Sequence, residues 1–298
     1  MKKSVSIIIR TKNEERWISA CLESVFKQDF KDFEVIVVDN LSTDKTLEKV
    51  NRFEKVTKTV TIDEYLPGKA LNAGIRESCG KYIVCLSGHC IPVNNSWLSN
   101  LVRNMRLPKV AGVYGKQQPL SYSSDFDKRD LLITFGLDRR VQVKDSFFHN
   151  ANSIIRRSVW DNIPFEDRAT NIEDRIWAKE VLKRGYRIIY EPEASVYHYH
   201  GIHQNADAER CQQIVQILER LDSDELGRSI DASAVNAVAV IPVKGEPVYL
   251  GKRPLLEYTI VRCKQSKYIK HTVVASEDEH TLELAKKLGA DICLKRPE

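Results

Sequence analysis

Two hydrophobic periods alternate along the first two thirds of the chain. Short continuous apolar runs are followed by stretches whose apolar positions recur every three or four residues. Residues 5–9 (VSIII) and 33–38 (FEVIVV) read as buried strands. Between them Trp17, Ile18, Cys21, Leu22, Val25 and Phe26 fall on one helical face, with Thr11 or Asn13 as the expected cap. The polar loop 39–46, DNLSTDKT, opens another helix, and a further one starts at Pro67 and ends near Gly80. A third apolar run covers residues 82–86, a helix begins around 94–97, and a strand follows at 109–114. Strand and helix in this order predict an α/β class with parallel strands and right-handed crossovers, so the loops after the strands open at one edge of the sheet. Residues 117–145 are charged and irregular, whereas 171–182 read as a helix capped by Asn171 or Thr170 and closed by Gly185. Residues 206–221 read as an amphipathic helix with Cys211, Ile214, Val215, Ile217, Leu218 and Leu221 on its apolar side, able to pack on the domain or against a second copy in a homodimer.

The run at 82–86 passes into Ser87-Gly88-His89-Cys90 and stops at Pro92. Ligands of open α/β sheets gather outside the carboxyl ends of the strands, which is where His89 falls. By the same argument Asp39, at the end of the second run, is placed to accept hydrogen bonds from a base or ribose. Glu173 and Asp174 fall in the first turn of their helix, a position where carboxylates are commonly found for stability alone. Residues 195–203, SVYHYHGIH, supply His198, His200 and His203, and alternation puts the first two on one face of an extended chain.

Composition narrows the class. A chain of 298 residues with 42% hydrophobic and 29% charged content is long enough for two globular domains. Its net charge of +5 is not gathered into any long run, which permits attraction to phosphates or an anionic membrane face without requiring nucleic acid, and no nucleic-acid partner is expected. No apolar stretch approaches a membrane span and no signal-peptide pattern precedes the first strand. The expected location is cytoplasmic, peripheral at the inner membrane face if the acceptor is lipid-linked. The seven cysteines show no paired metal spacing and read as reduced residues, several of them in the core.

VVDNLSTDKT, then GKALNAG, then a strand ending in a short polar tip is similar to the nucleotide-binding half of family 2 glycosyltransferases, inverting enzymes with the GT-A fold. Asp39, Asn40, Ser42, Asp44 and Thr46 match that family's Asp-Asp/Asn-x-Ser-x-Asp-x-Thr, and Gly68, Asn72 and Gly74 match its Gly-x-x-x-Asn-x-Gly. The likeness covers residues 4–203, and its weight lies in the order of the motifs. It implies a nucleotide-sugar donor, UDP-type, held by Thr11, Asn13, Glu14, Asp39, Asn40, Lys69, Asn72, Ser87 and Gly88. It also implies a glycan or lipid-linked acceptor in surface polysaccharide or glycan biosynthesis, with Asn152 and Trp177 on the acceptor side. Asp174 would take the proton of the acceptor hydroxyl, and Glu173 would position acceptor or donor sugar.

The chain departs from the family at the strand tip. Where Asp-x-Asp would hold a divalent cation, Mn2+ or Mg2+, against the donor diphosphate, Ser87-Gly88-His89 stands instead. The diphosphate charge must still be neutralised before it leaves. Serine is a poor ligand, whereas imidazole suits first-row transition ions, which points to His89 with His198 or His200. The alternative is metal-free transfer with lysine or arginine at the phosphates.

Beyond residue 221 the pattern changes. Residues 222–233 read as a polar linker, and 234–298 start a new rhythm: a strand at 238–243, a helix from about 255, a strand at 271–276 and a helix closing at Gly289. GKRPLLEYTI, TVVASEDE, AKKLGAD and LKRPE resemble the N-terminal part of the cytidylyltransferases that make CMP-sialic acid and related CMP-sugars, implying a partial α/β nucleotidyltransferase-like segment. The phosphate loop is short there, leaving Lys244 and Lys252, and the carboxylates that bind metal in that family would lie past residue 298. The expectation is an incomplete segment without nucleotidyl transfer, with the rest of that domain as its partner if the chain is longer. The expected domains are therefore 1–221, the linker 222–233, and 234–298. Two other readings are a cytidylyltransferase of which only the start is present and a non-catalytic nucleotide-sugar-binding scaffold.

Overall fold

The computed structural model describes residues 3–201, 209, 212–219 and 235–297. The chain divides into two compact units, 1–221 and 222–298. Of the expected helix 206–221, positions 209 and 212–219 are helical; its other positions, together with His203 and the expected linker 222–233, lie outside the described residues.

The first unit runs β1 (Val5–Thr11), α1 (Ile18–Phe26), β2 (Phe33–Asp39), α2 (Thr46–Val50), β3 (Lys58–Thr61), α3 (Pro67–Arg76), β4 (Tyr82–Ser87), β5 (Ile91–Pro92), α4 (Trp97–Asn104), β6 (Val110–Pro119), α5 (Asp125–Thr134), β7 (Arg140–Gln142), β8 (Asn152–Arg156), α6 (Arg157–Trp160), α7 (Glu173–Lys183) and β9 (Arg187–His198). The strands form one sheet in the order β3-β2-β1-β4-β8-β6-β9-β5, with β7 paired to β9. β1, β2, β3 and β4 are parallel, as are β6 and β9, whereas β8 runs against both of its neighbours. The central sheet is thus mostly parallel. Register places Thr11 opposite Asp39 and Arg10 opposite Ser87, so the tips of β1, β2 and β4 share one edge.

Both faces of the sheet are buried, which explains why its strands read as continuous apolar runs. Val5, Ile7 and Ile9 pack with Ile18, Leu22, Val25, Trp97 and Leu101 of α1 and α4. The alternate residue Ile8 joins Leu71, Ile75, Trp177 and Val181 of α3 and α7 on the other face. Helix α3 lies close to the sheet because Gly74 has no Cβ; one added there would come within 2.6 Å of Ile8 Cγ2 and Val38 Cγ2.

Several local expectations are corrected. Thr11 ends β1 instead of capping α1, whose N-cap is Trp17, and Asn13 sits in a left-handed turn at φ 54°. The stretch expected to be irregular contains the end of β6, then α5, capped by the Ser124 side chain accepting from Asp127 N–H, then β7. Helix α7 is preceded not by a side-chain cap from Asn171 or Thr170 but by Ile172 at φ 53° and ψ 29°. That conformation is rare for a β-branched residue and costs about 1–2 kcal/mol. At the other end Gly185, at φ 78°, closes α7 by donating to Leu182 O while Tyr186 N–H reaches Val181 O, a Schellman arrangement.

In the second unit β10 (Ala237–Pro242), β13 (Ile269–Ser276) and β14 (Ile292–Lys295) form a parallel sheet, with a short hairpin of β11 (Tyr249–Leu250) and β12 (Arg253–Pro254). Helices α8 (Leu255–Gln265) and α9 (Glu279–Lys287) cover one face, burying Leu256, Ile260 and Ala285 against Val274. On the opposite face Val238, Val240, Ile292 and Leu294 are exposed.

Candidate functional site

The shared edge of the first unit's sheet opens into a cavity of about 490 Å³. Arg10 from the end of β1, Ser87 from β4, His198 from β9, and Glu173 and Asp174 from the start of α7 all line it. Ile214, Val215 and Leu218, on the expected amphipathic helix, add an apolar wall, and Asn171 Nδ2 donates to Gln213 Oε1 at 3.1 Å.

Three imidazoles crowd one side. His89 and His198 stack with centroids 4.9 Å apart, and His200 lies 4.9 Å from His89 and 4.3 Å from His198. Each directs Nδ1 at an oxygen: His89 at Glu14 Oε1 (2.5 Å), His198 at Gln117 Oε1 (2.8 Å) and His200 at Gly201 O (2.8 Å). The Gln117 amide nitrogen in turn donates to His149 Nδ1 at 3.0 Å, and Ala151 N–H donates to that same atom. This chain fixes the tautomer: His198 donates through Nδ1 and carries its lone pair on Nε2. His198 Nε2 is buried and has no hydrogen-bond partner. Burial, reinforced by the neighbouring His89, His200 and His149, holds its pKa well below the usual histidine value, so the ring is neutral. Tyr199 and Trp17 stack at 5.3 Å, and Tyr199 meets His89 edge-on, which anchors the histidine-bearing segment to α1.

The acidic pair forms the other side. Asp174 Oδ2 accepts from Asn150 N–H at 3.0 Å and Oδ1 from Arg175 N–H at 2.8 Å. Glu173 Oε1 accepts from Asn150 Nδ2 at 3.2 Å and faces Arg10 at 3.4 Å. Burial and then the charge of Asp174 push the Glu173 carboxyl up to about 7, against Arg10 and Asn150, which pull it down. Burial also raises Asp174, opposed by the Asn150 and Arg175 amides. Arg10 is buried, which works against its charge, but Tyr65, Glu173, Cys85 and Asp174 outweigh that and raise its pKa.

Ser87, His89, His198, His200, Glu173 and Asp174 therefore meet at one cavity, and Glu14 reaches it through His89. Other expected site residues are placed elsewhere. Asp39 has no exposed surface; its carboxylate accepts from Thr11 Oγ1 (3.0 Å), Ser42 Oγ (2.5 Å) and Ser42 N–H (2.9 Å), which occupies most of its lone pairs. Asn13 and Asn40 belong to the same network: Asn13 Oδ1 accepts from Thr43 N–H, and the Asn40 amide bridges Ile62 O and Lys12 Nζ when turned to satisfy both ends. Gly88 lets the strand tip pass Thr11 and Arg10, where an added Cβ would come within 2.9 Å of Thr11 Cγ2. Lys69 pairs with Glu64 at the surface. Asn72, expected at the donor, is fully buried as a packing hub: its amide donates to Phe165 O and Asp167, and its oxygen accepts from Trp160 Nε1 and Phe165 N–H. Gly68 packs on Glu166 O, where an added Cβ would sit 2.2 Å away. The Gly-x-x-x-Asn-x-Gly motif thus pins segment 160–167 to α3.

The two expected acceptor residues are also packed away. Asn152 clamps Trp97 Nε1, Lys116 O and Ala194 O, and Trp177 is 1% exposed, donating to Ile163 O between Phe148 and Phe165. Arg10, Tyr65, His149 and Arg175 line the cavity without having been singled out, and Gln117 orients one of its histidines. A sequence signal existed only for Arg10, a lone charge at the end of an apolar strand.

Residues 6–163 match the family model for glycosyl transferase family 2. A relative from Methanococcus voltae, dolichyl N-acetyl-alpha-D-glucosaminyl phosphate 3-beta-D-2,3-diacetamido-2,3-dideoxy-beta-D-glucuronosyltransferase, is 27% identical over 209 residues, 63% of this chain and 64% of that protein. TarS 1–349 from S. aureus, solved with UDP-GlcNAc, aligns with a TM-score of 0.55 at 20% identity over 70% of this chain and 61% of that one. The mannosyltransferase PcManGT from Pyrobaculum calidifontis, solved with GDP-Man and Mn2+, aligns with a TM-score of 0.52 at 21% identity over 66% and 57%. The chain spans less than two thirds of each of these proteins, and the likeness to the two structures is one of fold.

Proposed function

Because the chain belongs to glycosyl transferase family 2, we propose that it is an inverting glycosyltransferase that moves a sugar from a nucleotide-sugar donor to a hydroxyl acceptor in glycan biosynthesis. The observation that carries this reading is the Glu173–Asp174 pair, held in one cavity with the imidazole cluster by the Asn150 amide groups and by the αL turn at Ile172. Asp174 takes the proton of the acceptor hydroxyl as that oxygen attacks the anomeric carbon. The anomeric C–O bond to the diphosphate breaks, its electron pair leaving on the phosphate oxygen. The two backbone N–H groups on Asp174 aim its carboxylate. Glu173, joined to Arg10, positions the sugar.

A divalent cation fits beside His89, His198 and His200, where the buried His198 Nε2 lacks a partner, and when bound it would neutralise the departing diphosphate. The loops after β1, β2 and β4 form the donor side, their shape held by the Thr11–Asp39–Ser42 hydrogen bonds and by Asn13, with a uracil nucleotide as the donor of choice. Titration of UDP, GDP, dTDP and CMP identifies the base. Exposed Phe126, Leu132, Ile133 and Leu137 around α5 support peripheral contact with a membrane carrying a lipid-linked acceptor; among the described residues no helix is long and apolar enough to cross one. Residues 234–298 are read as a CMP-sugar cytidylyltransferase-like segment, a reading supported by its parallel strand order.

Asp174→Asn tests the base. Transfer should fall about 10²–10⁴-fold with nucleotide affinity unchanged. Undiminished transfer would remove Asp174 from the mechanism, and nucleotide binding without any transfer in the parent protein would favour the scaffold reading.

A further inference from the structure

The three histidines do more than stand near one another. Each presents Nδ1 to an oxygen, and those oxygens come from three different places: Glu14 in the loop after β1, Gln117 near the end of β6, and the backbone at Gly201. Metal-binding histidines are oriented in this way, with the second ring nitrogen tied to an acceptor so that the first can coordinate. Gln117 is itself held by His149, and His149 by Ala151 N–H, so the orientation of His198 is built through three hydrogen bonds. Building such a chain in the interior is unexplained by packing alone, since it leaves His198 Nε2 buried and unsatisfied, which is costly. A ligand on that atom removes the cost. Among the described residues, His89, Cys90 and His198 are also the only group whose potential ligand atoms all lie within 4.8 Å of one another.

Resting on the glycosyltransferase reading only for the cation's role, we infer that this cluster, two imidazole nitrogens with the Cys90 sulfur beside them, is a nitrogen- and sulfur-donor site, pre-oriented by Glu14 and Gln117, that takes Co2+ or Zn2+ in preference to Mg2+. Mg2+ demands oxygen ligands in near-octahedral geometry. The carboxylate nearest the rings, Glu14, is engaged by His89 Nδ1, and Ser87 is a weak donor. Imidazole favours the later first-row ions, so affinity rises from Mn2+ to Co2+ to Zn2+ at a fixed geometry. Glu14 and Gln117 are positioning residues in this account.

The test uses the full chain without nucleotide. Co2+ is titrated and followed by its visible d–d absorption, and bound metal is measured by equilibrium dialysis for Mg2+, Mn2+, Co2+ and Zn2+. One Co2+ per chain, undisturbed by a hundredfold excess of Mg2+, is the expected result. His89→Ala should abolish the absorption, and Glu14→Ala and Gln117→Leu should each weaken Co2+ binding about 10–100-fold. Glu14 lies in the loop after β1 and not in the sheet, so its variant tests the idea even if the buried Gln117 variant does not fold. No Co2+ binding, equal competition by Mg2+, or Glu14→Ala binding as tightly as the parent would overturn the inference. Because nucleotide is absent, such a failure would leave the transfer reading to be judged separately by Asp174→Asn.

Discussion

Glu173→Gln offers a direct reading of the electrostatics at the cavity. The Glu173 carboxyl is raised from its ordinary 4.5 to about 7 by burial and by Asp174. In the unfolded chain it loses its proton near 4.5, whereas in the folded protein it keeps it until about 7. The folded state therefore binds the extra proton in that interval. The stability the neutral carboxyl supplies is fully present below pH 4.5 and is lost as pH rises through 7. At about 1.4 kcal/mol per pH unit the loss amounts to about 3 kcal/mol. Glutamine has nearly the same shape, retains an acceptor for Asn150 and Arg10, and does not titrate. The difference in stability between variant and parent should therefore grow in favour of the variant by about 3 kcal/mol between pH 4 and pH 8. All four tryptophans, Trp17, Trp97, Trp160 and Trp177, lie in the first unit, so denaturant unfolding followed by tryptophan fluorescence reports on that unit. Parallel stability–pH curves for variant and parent would refute the reasoning, because they would mean that Glu173 ionises at its ordinary value.

Asn72→Ala should destabilise the first unit by about 2–4 kcal/mol, because Trp160 Nε1 and Phe165 N–H lose a buried acceptor, while nucleotide affinity by calorimetry stays unchanged; a selective loss of affinity would return Asn72 to the donor site. Ile172→Asn relieves a left-handed backbone at a β-branched residue and should stabilise by about 1 kcal/mol in the same fluorescence assay. Phe126→Ser together with Ile133→Ser should abolish co-sedimentation with lipid vesicles, both side chains being more than half exposed; equal sedimentation of variant and parent would rule out α5 as the contact.

The strands of the first unit were legible because a parallel sheet covered on both faces needs uninterrupted apolar runs, and VSIII, FEVIVV and YIVCL supply them. Gly185 was equally legible, since a left-handed residue after a helix admits few others. The caps of α1 and α7 were not. Thr11, Asn13, Thr170 and Asn171 all have capping chemistry, but Thr11 was drawn into the ladder opposite Asp39, and α7 begins behind a strained Ile172. The same limit applies to the site. A motif states which residue types recur at a spacing, and both a ligand contact and a packing contact can require an asparagine between two glycines. Only the close approach of segment 160–167 showed that Asn72 serves the second need. The sequence by itself determined the alternation of strand and helix, the edge at which the loops gather, and the presence of acids and histidines in segments that reach that edge. Tertiary structure alone decided which of them meet: His89 and His198 are far apart in the chain, and their stacking depends on β5 and β9 pairing side by side. It also decided their chemistry, because burial raises Glu173 and keeps His198 neutral, and burial is a property of the packed whole.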